Sequence, residues 1–265
     1  MIRSRLVTYP PPRGRRTELI VGFGVAAVIL VGVLVWTLVP ALHPTSSVPG
    51  TALAGAAPPK TASSQPSAGG GPCGYRRAGK AAREVGLPAA TPPQPSGTVR
   101  VTLKTNQGDI PLVLDRGKAP CTVQNILFLA GKKYFDGTQC HRLTAAQSLK
   151  VLQCGDPTGT GAGGPGYKFK DELPTGLTPG AAGGVIYPTA TVAMANAGPD
   201  TNGSQFFLVY GDSTIPPNYS VFGTVDTAGL AVISKIVAGG INPSMGPEDG
   251  APKTPVTIQG TVADG

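Results

Sequence analysis

The longest hydrophobic pattern in the chain is an unbroken apolar run near its beginning, from Leu19 to Val39. These 21 residues carry no charge, and a helix rising about 1.5 Å per residue over this length spans a hydrocarbon layer of roughly 30 Å. Because the run is apolar on every side, a membrane helix explains it better than a buried core helix. It also exceeds the roughly 7–15 residues of a cleavable signal core and lacks a closing small-residue cleavage site, so we expect an uncleaved signal anchor.

Alternating and helical patterns begin much later, after residue 97. The stretch VRVTLKTNQGDIPLVL (99–114) predicts two strands, Val99–Lys104 and Ile110–Leu114, joined by a turn at Asn106–Asp109. Two helices are predicted in APCTVQNILFLAG (119–131) and DTAGLAVISKIVAGG (226–240). The inward positions are Val123, Leu127 and Ala130 in the first helix, and Leu230, Ile233 and Ile236 or Val237 in the second. Many short strands and Gly/Pro-rich loops lie between them, which favours a mainly β fold: a closed antiparallel barrel capped by two α-helices.

Composition divides the chain into four regions. Residues 1–18 form a basic tail, with arginines at Arg3, Arg5, Arg13, Arg15 and Arg16. By the positive-inside rule this tail stays in the cytoplasm, so everything after the 19–39 span lies outside the cell membrane. Residues 40–97 are rich in Pro, Ala, Ser, Thr and Gly and are predicted to be an extended spacer, pinned around Cys73. Residues 98–265 are the folded domain.

The net charge of +8 suggests a nucleic-acid partner, but its distribution excludes one. Ten of the 22 basic residues precede the domain, and from Thr98 onward twelve basic residues face twelve acidic ones. A neutral domain has no electrostatic footprint for DNA or RNA.

Chemistry is concentrated in MANAGPDTNGSQFFLVYG (194–211), where amides crowd beside an aromatic strand. Amides donate and accept hydrogen bonds without charge, so Asn196 and Gln205 next to Phe207 indicate a groove that grips peptide backbone above an apolar floor. Asn202 lies in TNGS and is better explained by turn chemistry. Phe207 taken alone is better explained by core packing; the combination favours the groove.

Other motifs point to no cofactor or metal. GTGAGG contains GxGxxG at Gly159, Gly161 and Gly164, but PGYKFKDEL follows it rather than a helix, so we interpret it as a loop. A hydrolase would rest on His141 alone, with no GxSxG elbow. Cys140 beside His141 has poor ligand spacing and no CxxC partner for a metal site.

Four segments resemble the cyclophilins, which are peptidyl-prolyl cis–trans isomerases, and in detail their membrane-anchored form in high-GC Gram-positive bacteria. They are YFDGTQCHRL (134–143), LQCGDPTGTGAGGPGYKFKDEL (152–173), VAMANAGPDTNGSQFFLVY (192–210) and YSVFGTV (219–225). The resemblance implies a closed eight-stranded antiparallel barrel with two capping helices. It also implies a monomeric domain that acts on proline-containing polypeptides and assists the folding of secreted or envelope proteins.

The resemblance assigns roles position by position. It implies catalytic roles for Arg142, with His141 beside it, for Gln153 and for the proline-pocket floor Phe207. The substrate-binding positions that it implies are Leu149, Val151, Gly161, Ala195, Asn196, Ala197, Gln205, Ile215 and Tyr219. Three departures stand out: about three extra residues after Arg142, Lys150 where a pocket Phe is usual, with Leu149 filling that space, and no Trp in the domain. In many cyclophilins that Trp contacts cyclosporin, so we expect weakened cyclosporin binding.

The four cysteines, Cys73, Cys121, Cys140 and Cys154, suit disulfides in an oxidising exterior, with free buried thiols as the alternative. Of three possible pairings we favour Cys140–Cys154 between neighbouring strands and Cys73–Cys121 between spacer and first helix.

Isomerisation needs no nucleophile, because no bond breaks. Rotation about X–Pro climbs roughly 18–20 kcal/mol as amide resonance is lost. A guanidinium, which never loses its proton, can donate to the proline nitrogen once the twisted amide recovers a lone pair, and we assign this role to Arg142. Two alternatives use the same residues without turnover: a catalytically weak peptide-binding chaperone, and an envelope scaffold.

Overall fold

The described part of the chain is a mainly β structure with two helices. The computed structural model describes residues 71–264. Its strands are β1 (Arg76–Arg77), β2 (Thr98–Thr105), β3 (Gly108–Asp115), β4 (Thr138–Gln139), β5 (Arg142–Thr144), β6 (Lys150–Cys154), β7 (Tyr167–Lys168), β8 (Val185–Tyr187), β9 (Thr191–Met194), β10 (Phe206–Gly211), β11 (Ser213–Ile215), β12 (Val221–Val225), β13 (Ile241–Gly246), β14 (Asp249–Pro252) and β15 (Thr257–Ala263). The helices are α1 (Pro120–Gly131), α2 (Thr227–Ala238) and a short 3-10 turn (Ala181–Gly183).

The elements with clear local patterns form where the sequence predicts them. β2 and β3 pair along their whole length, from Thr98 opposite Asp115 to Thr105 opposite Gly108. The connecting turn is shorter than predicted, because Gly108, at φ 121°, already belongs to the second strand. Helix α2 begins after Asp226, whose carboxylate caps it by accepting from the Gly229 N–H.

The sheet differs from the predicted closed barrel of eight strands. Within residues 71–264 eleven strands form one antiparallel sheet in the order β13-β14-β5-β6-β10-β9-β12-β3-β2-β15-β4, which has two ends. β15 bonds to β4 and β6 bonds to β5. β4 and β5 are not hydrogen-bonded to each other. They are joined only by the chain itself, through Cys140 and His141, so the sheet does not close there through a strand ladder.

The interior of the sheet is filled by side chains that alternate along each strand. β2 and β3 direct Val101, Leu103, Ile110, Leu112 and Leu114 inward, each at most 2 % exposed. The strands β6, β9 and β10 add residues to the same core, which helices α1 and α2 cover with Leu129 and Ile233. A second, smaller apolar cluster lies on the opposite face of β6, β9 and β10.

Part of the predicted spacer packs against the domain. We call residues 71–97 the leading segment. Its Tyr75 is 2 % exposed, lies edge-on to Tyr167 with ring centroids 5.9 Å apart, and donates to the Cys121 carbonyl at 2.7 Å. β1 pairs with β7. The composition is spacer-like, yet a few buried anchors order this segment, because each fixes the short stretch of chain around it.

Both favoured disulfides are present. Cys73 is bonded to Cys121 and Cys140 to Cys154, and none of the four cysteines is free. In the part of the chain that the structure describes, neither helix is long and apolar enough to cross a membrane. The predicted span, 19–39, the tail before it and most of the spacer lie outside the described residues.

Candidate functional site

One row of residues across the sheet contains Arg142, Gln153 and Phe207, for which the sequence predicts catalytic roles. Ladder register places Arg142 opposite Gln153, Gln153 opposite Phe207, Phe207 opposite Ala193, and Ala193 opposite Val221. We call these five residues the groove row. Side chains at matched positions of neighbouring strands share a face, so β5, β6, β10, β9 and β12 present them together on the outer face of the sheet.

An apolar pocket occupies the middle of this face. Its buried members are Val151, Tyr187, Ala193, Phe207 and Val209, with Phe207 5 % exposed. Leu149, Ala195, Ile215 and Tyr219 are partly buried against them. The Tyr219 ring meets Phe207 edge-on with centroids 5.5 Å apart, so it forms a wall of the pocket. The structure therefore brings together the predicted proline-pocket residues.

A chain of polar side chains borders the pocket. Arg142 Nη1 donates to Gln153 Oε1 at 3.3 Å, and Gln153 Nε2 donates to Gln205 Oε1 at 2.9 Å. Gln205 Nε2 in turn donates to the carbonyls of Gly161 and Gly163 at 2.8 and 2.9 Å. These bonds fix the orientation of both side-chain amides. Gln205 thereby links the groove row to the GTGAGG loop of residues 159–164, which we call the glycine loop.

The glycine loop is a loop, as predicted, and a buried carboxylate organises it. Asp156 accepts from the backbone N–H groups of Thr158, Gly161 and Gly163 at 2.7, 2.7 and 3.0 Å. Burial alone would raise the pKa of Asp156, but these hydrogen bonds, together with one from the Thr158 hydroxyl, outweigh it and lower the pKa. Gly161 has a φ of 83°, a conformation that L side chains rarely adopt.

The amides of the NAGPDTN stretch mostly hold loops in place. Asn196 Nδ2 donates to the Asn218 carbonyl at 2.8 Å, which ties the loop before Tyr219 to the end of β9. The Ala195 N–H donates to the Gln205 carbonyl, and the exposed Ala197 donates its N–H to Thr201 Oγ1. Asn202 is fully buried and donates to the Lys170 carbonyl and to Asp171 Oδ1, so its role is structural but comes from long-range contacts rather than from the local turn that the sequence favoured.

Arg142 and its predicted catalytic neighbour, His141, lie in different environments. Both ring nitrogens of His141 are buried without a hydrogen-bond partner among residues 71–264, and burial lowers its pKa, so the ring is neutral at pH 7. The hydrogen bond to Asp249 leads the effects that raise the pKa of Arg142, which keeps its positive charge.

Lys150 does not replace a pocket residue. Along β6 it alternates with Val151, and a Cβ added to Gly211 would lie 2.6 Å from Lys150 Cδ, which places the lysine stem against β10 away from the pocket. Leu149 packs against the pocket cluster instead, as predicted.

Sequence reasoning missed Asp249. It stands on the β13–β14 hairpin and receives Arg142 Nε at 2.8 Å and Nη2 at 2.7 Å in a two-pronged ion pair. The only signal in the sequence is an acidic residue in a PEDG turn, which surface turns commonly contain.

A cavity of about 440 Å³ adjoins the groove beside Gln205. It is bounded by groove residues, by the glycine loop, and by Ala78, Gly79 and Lys80 of the leading segment. Among residues 71–264 no three His, Cys, Asp or Glu side chains cluster as metal ligands would.

The sequence and the fold match a known protein family. The model of the family described as cyclophilin type peptidyl-prolyl cis-trans isomerase/CLD matches residues 100–263, and the chain belongs to that family. The relatives place it near actinobacterial members. It is 50% identical over 192 residues to a probable peptidyl-prolyl cis-trans isomerase B of Mycobacterium leprae, covering 71% of this chain and 64% of that protein.

The probable peptidyl-prolyl cis-trans isomerase B of Mycobacterium tuberculosis is 49% identical over 190 residues, covering 70% of this chain and 61% of the relative. The match thus spans less than two thirds of these relatives' length. A crystal structure of a Cryptosporidium parvum cyclophilin type peptidyl-prolyl cis-trans isomerase, solved in the presence of the dipeptide Ala-Pro, superposes with a TM-score of 0.50 at 27% identity. That alignment covers 63% of this chain and 99% of the neighbour.

Proposed function

We propose that this chain is a peptidyl-prolyl cis–trans isomerase that assists the folding of secreted or envelope proteins. The observation that carries the proposal is the groove row, which sets a guanidinium, an amide and an aromatic pocket floor side by side on one face. Family membership and the names of the relatives support the same activity.

In the proposed reaction the pocket of Phe207, Val151 and Tyr219 holds the pyrrolidine ring, and backbone near Asn196 holds the adjoining chain. One side of the X–Pro bond is then anchored while the other turns. In the planar amide the proline nitrogen is a poor acceptor, but in the twisted amide its lone pair is restored. Arg142 donates to it there, and this interaction, stronger in the transition state than in the ground state, lowers the barrier.

A charged residue in the pocket would favour the chaperone alternative, but the Lys150 stem packs against Gly211 rather than in the pocket. The domain has no Trp, because Trp36 is the single Trp of the chain, and this absence supports the chaperone alternative as well as weaker drug binding. We therefore propose that cyclosporin binds more weakly here than to members that have that Trp, and that the domain acts as a monomer.

The test compares the full chain with its Arg142→Ala variant in an exchange NMR assay of an X–Pro peptide. Removing one preorganised donor typically costs about 100-fold in rate, so we expect a loss of that order. Arg100→Ala, which removes an exposed arginine on β2, is the matched control and should retain wild-type turnover. If the wild-type chain fails to accelerate isomerisation, the groove is a binding surface and the enzyme proposal is wrong.

We further propose that residues 19–39 anchor the chain in the cell membrane, with residues 1–18 in the cytoplasm and the domain outside. Support comes from the uncharged run and the preceding arginines. Carbonate extraction should leave the chain in the membrane fraction. Protease added to protoplasts, whose membrane is intact, should digest the domain. Release of the full-length chain by carbonate would refute the anchor.

A further inference from the structure

Asp249 grips the arginine that the proposed function makes catalytic. Its hairpin is hydrogen-bonded to the strand that carries Arg142, with Asp249 opposite Thr144 and Gly250 opposite Leu143. The carboxylate takes the Nε–H and one Nη2–H at 2.8 and 2.7 Å, in the parallel geometry that suits an arginine–carboxylate pair. Residues 107 positions apart in sequence are thus joined at the groove.

The pairing leaves part of the guanidinium available. An arginine has five N–H donors in one plane. Asp249 takes two of them and Gln153 takes a third through Nη1. One N–H of Nη1 and one N–H of Nη2 remain outside these three hydrogen bonds. The carboxylate therefore fixes the plane from its side without occupying these two donors.

The ion pair is not needed to attach the hairpin. The Ala145 N–H donates to the Glu248 carbonyl at 2.9 Å, and the β14–β5 ladder continues this contact. Across the base of the hairpin the Lys253 N–H donates to the Gly240 carbonyl, which holds its two strands together. Since the backbone already secures the hairpin, orientation of Arg142 remains as the consequence specific to the Asp249 side chain.

We propose that Asp249 is a positioning residue for isomerisation, which holds the Arg142 guanidinium in the orientation that meets the twisted X–Pro nitrogen. This inference rests on the proposed function. Arginine has large rotamer entropy, and a side chain ordered before substrate arrives loses less on reaching the transition state. The side chains of Arg142 and Asp249 are 29% and 25% exposed, so water screens their ion pair only in part.

The experiment measures kcat and KM of the full chain by exchange NMR with Asp249→Asn and Asp249→Ala. Asparagine keeps one acceptor and a similar shape, so we expect kcat to fall about tenfold; alanine removes both acceptors, and we expect about 100-fold, the penalty typical of a misplaced catalytic group. KM should stay within about twofold, because the ground-state pocket is unchanged. Asp109→Asn removes the exposed partner of Lys104 and should leave both constants unaltered.

A double-variant cycle separates positioning from a merely structural role. In the Arg142→Ala background, Asp249→Asn should have no further effect, because the group it positions is gone. Equal losses in both backgrounds, or unchanged kcat in both single Asp249 variants, would overturn the inference while leaving the isomerase intact. An inactive wild-type chain would instead refute the proposed function itself.

Nitrogen-15 NMR of the Arg142 side chain gives a readout independent of turnover. With Asp249 present the Nε–H signal, assigned by its loss in Arg142→Ala, should exchange slowly with water. In Asp249→Ala it should exchange faster and broaden, while thermal unfolding monitors that the variant remains folded. An identical Arg142 signal in wild type and in a folded Asp249→Ala chain would show that the carboxylate does not hold the guanidinium.

Discussion

Phe206 and Phe207 are consecutive, chemically identical and almost equally buried, at 2 % and 5 % exposed, yet they belong to different parts of the molecule. Phe206 points into the main core, where it meets Phe135 edge-on with centroids 5.7 Å apart. Phe207 points to the outer face, where Tyr187 and Tyr219 surround it. Successive side chains of a strand alternate between the two faces, so one residue along β10 separates the protein core from the proposed substrate pocket.

The contrast extends across the neighbouring strands. One position along from the groove row lie Leu143, Leu152, Leu208 and Val192, all fully buried in the core. Other side chains of the core cover these four residues completely. The groove row is instead bordered by polar groups and faces an open groove. Burial alone therefore does not distinguish a structural residue from a functional one; what covers the residue does.

The largest expected effect is on stability and separates the two phenylalanines. Phe206→Ala should lower the free energy of unfolding by about 3–5 kcal/mol, since it leaves a closed cavity. Phe207→Ala should cost about 2 kcal/mol, because the loss widens an open groove, and should raise KM for an X–Pro peptide. Urea denaturation and steady-state kinetics of both variants check this; equal loss of stability with unchanged KM for Phe207→Ala would contradict the assignment of the two faces.

A smaller effect concerns how well the core and the pocket exclude water, which the ionisation of one tyrosine on each face reports. Burial raises the pKa of Tyr134, in the core, to about 12, and that of Tyr187, in the pocket, to about 12. The unfolded chain ionises near pH 10 while these phenols stay neutral in the fold, so their contribution is fully present below about pH 10 and is lost as the pH rises towards 12. Between these values each group accounts for about 1.4 kcal/mol per pH unit.

Tyr134→Phe and Tyr187→Phe should each reduce the loss of stability between pH 9 and pH 11, measured by denaturant unfolding, by about 1 kcal/mol. A reduction with Tyr134→Phe alone would mean that water reaches the pocket tyrosine, and that the two faces are not equally dry.

The smallest expected effect concerns the two sides of β6. Lys150→Ala should change kcat/KM by less than about twofold, as for other substitutions outside the core and the site. Val151→Ala, its neighbour on the pocket face, should weaken substrate binding measurably, because it removes apolar surface next to Phe207. A Lys150→Ala effect as large as that of Val151→Ala would place the lysine in the pocket after all.

The predictable parts of the fold were those whose signal lies within a few residues. The β2–β3 hairpin and both helices follow from alternation, helical spacing, Pro120 at a helix start and Gly131 at its end. Strands of two or three residues, such as β4 and β5, are too short to show a period, so the two-ended sheet was not predictable. For the leading segment the attachment at Cys73 was predicted and is confirmed, but the packing of Tyr75 and the β1–β7 pairing were not predictable, because these anchors are hidden in spacer-like composition.

The predicted groove residues were found through motifs that resemble a known family, and the structure brings Arg142, Gln153 and Phe207 into one row. The roles of the supporting polar groups were less predictable. Gln205 faces the glycine loop with both of its donors, and the partner of Arg142 lies on a hairpin near the end of the domain.

By itself the sequence determined the local elements, the neutral charge of the domain, the apolar run at 19–39 and the motifs of the site, because each depends on residues close together in the chain or on composition. Alternation also required Phe206 and Phe207 to face opposite ways. The motifs assigned Phe207 to the groove, where the structure places it, but only the tertiary structure joined Asp249 to Arg142. A contact between residues 107 positions apart depends on how the whole sheet pairs, and no local preference of either residue encodes that pairing.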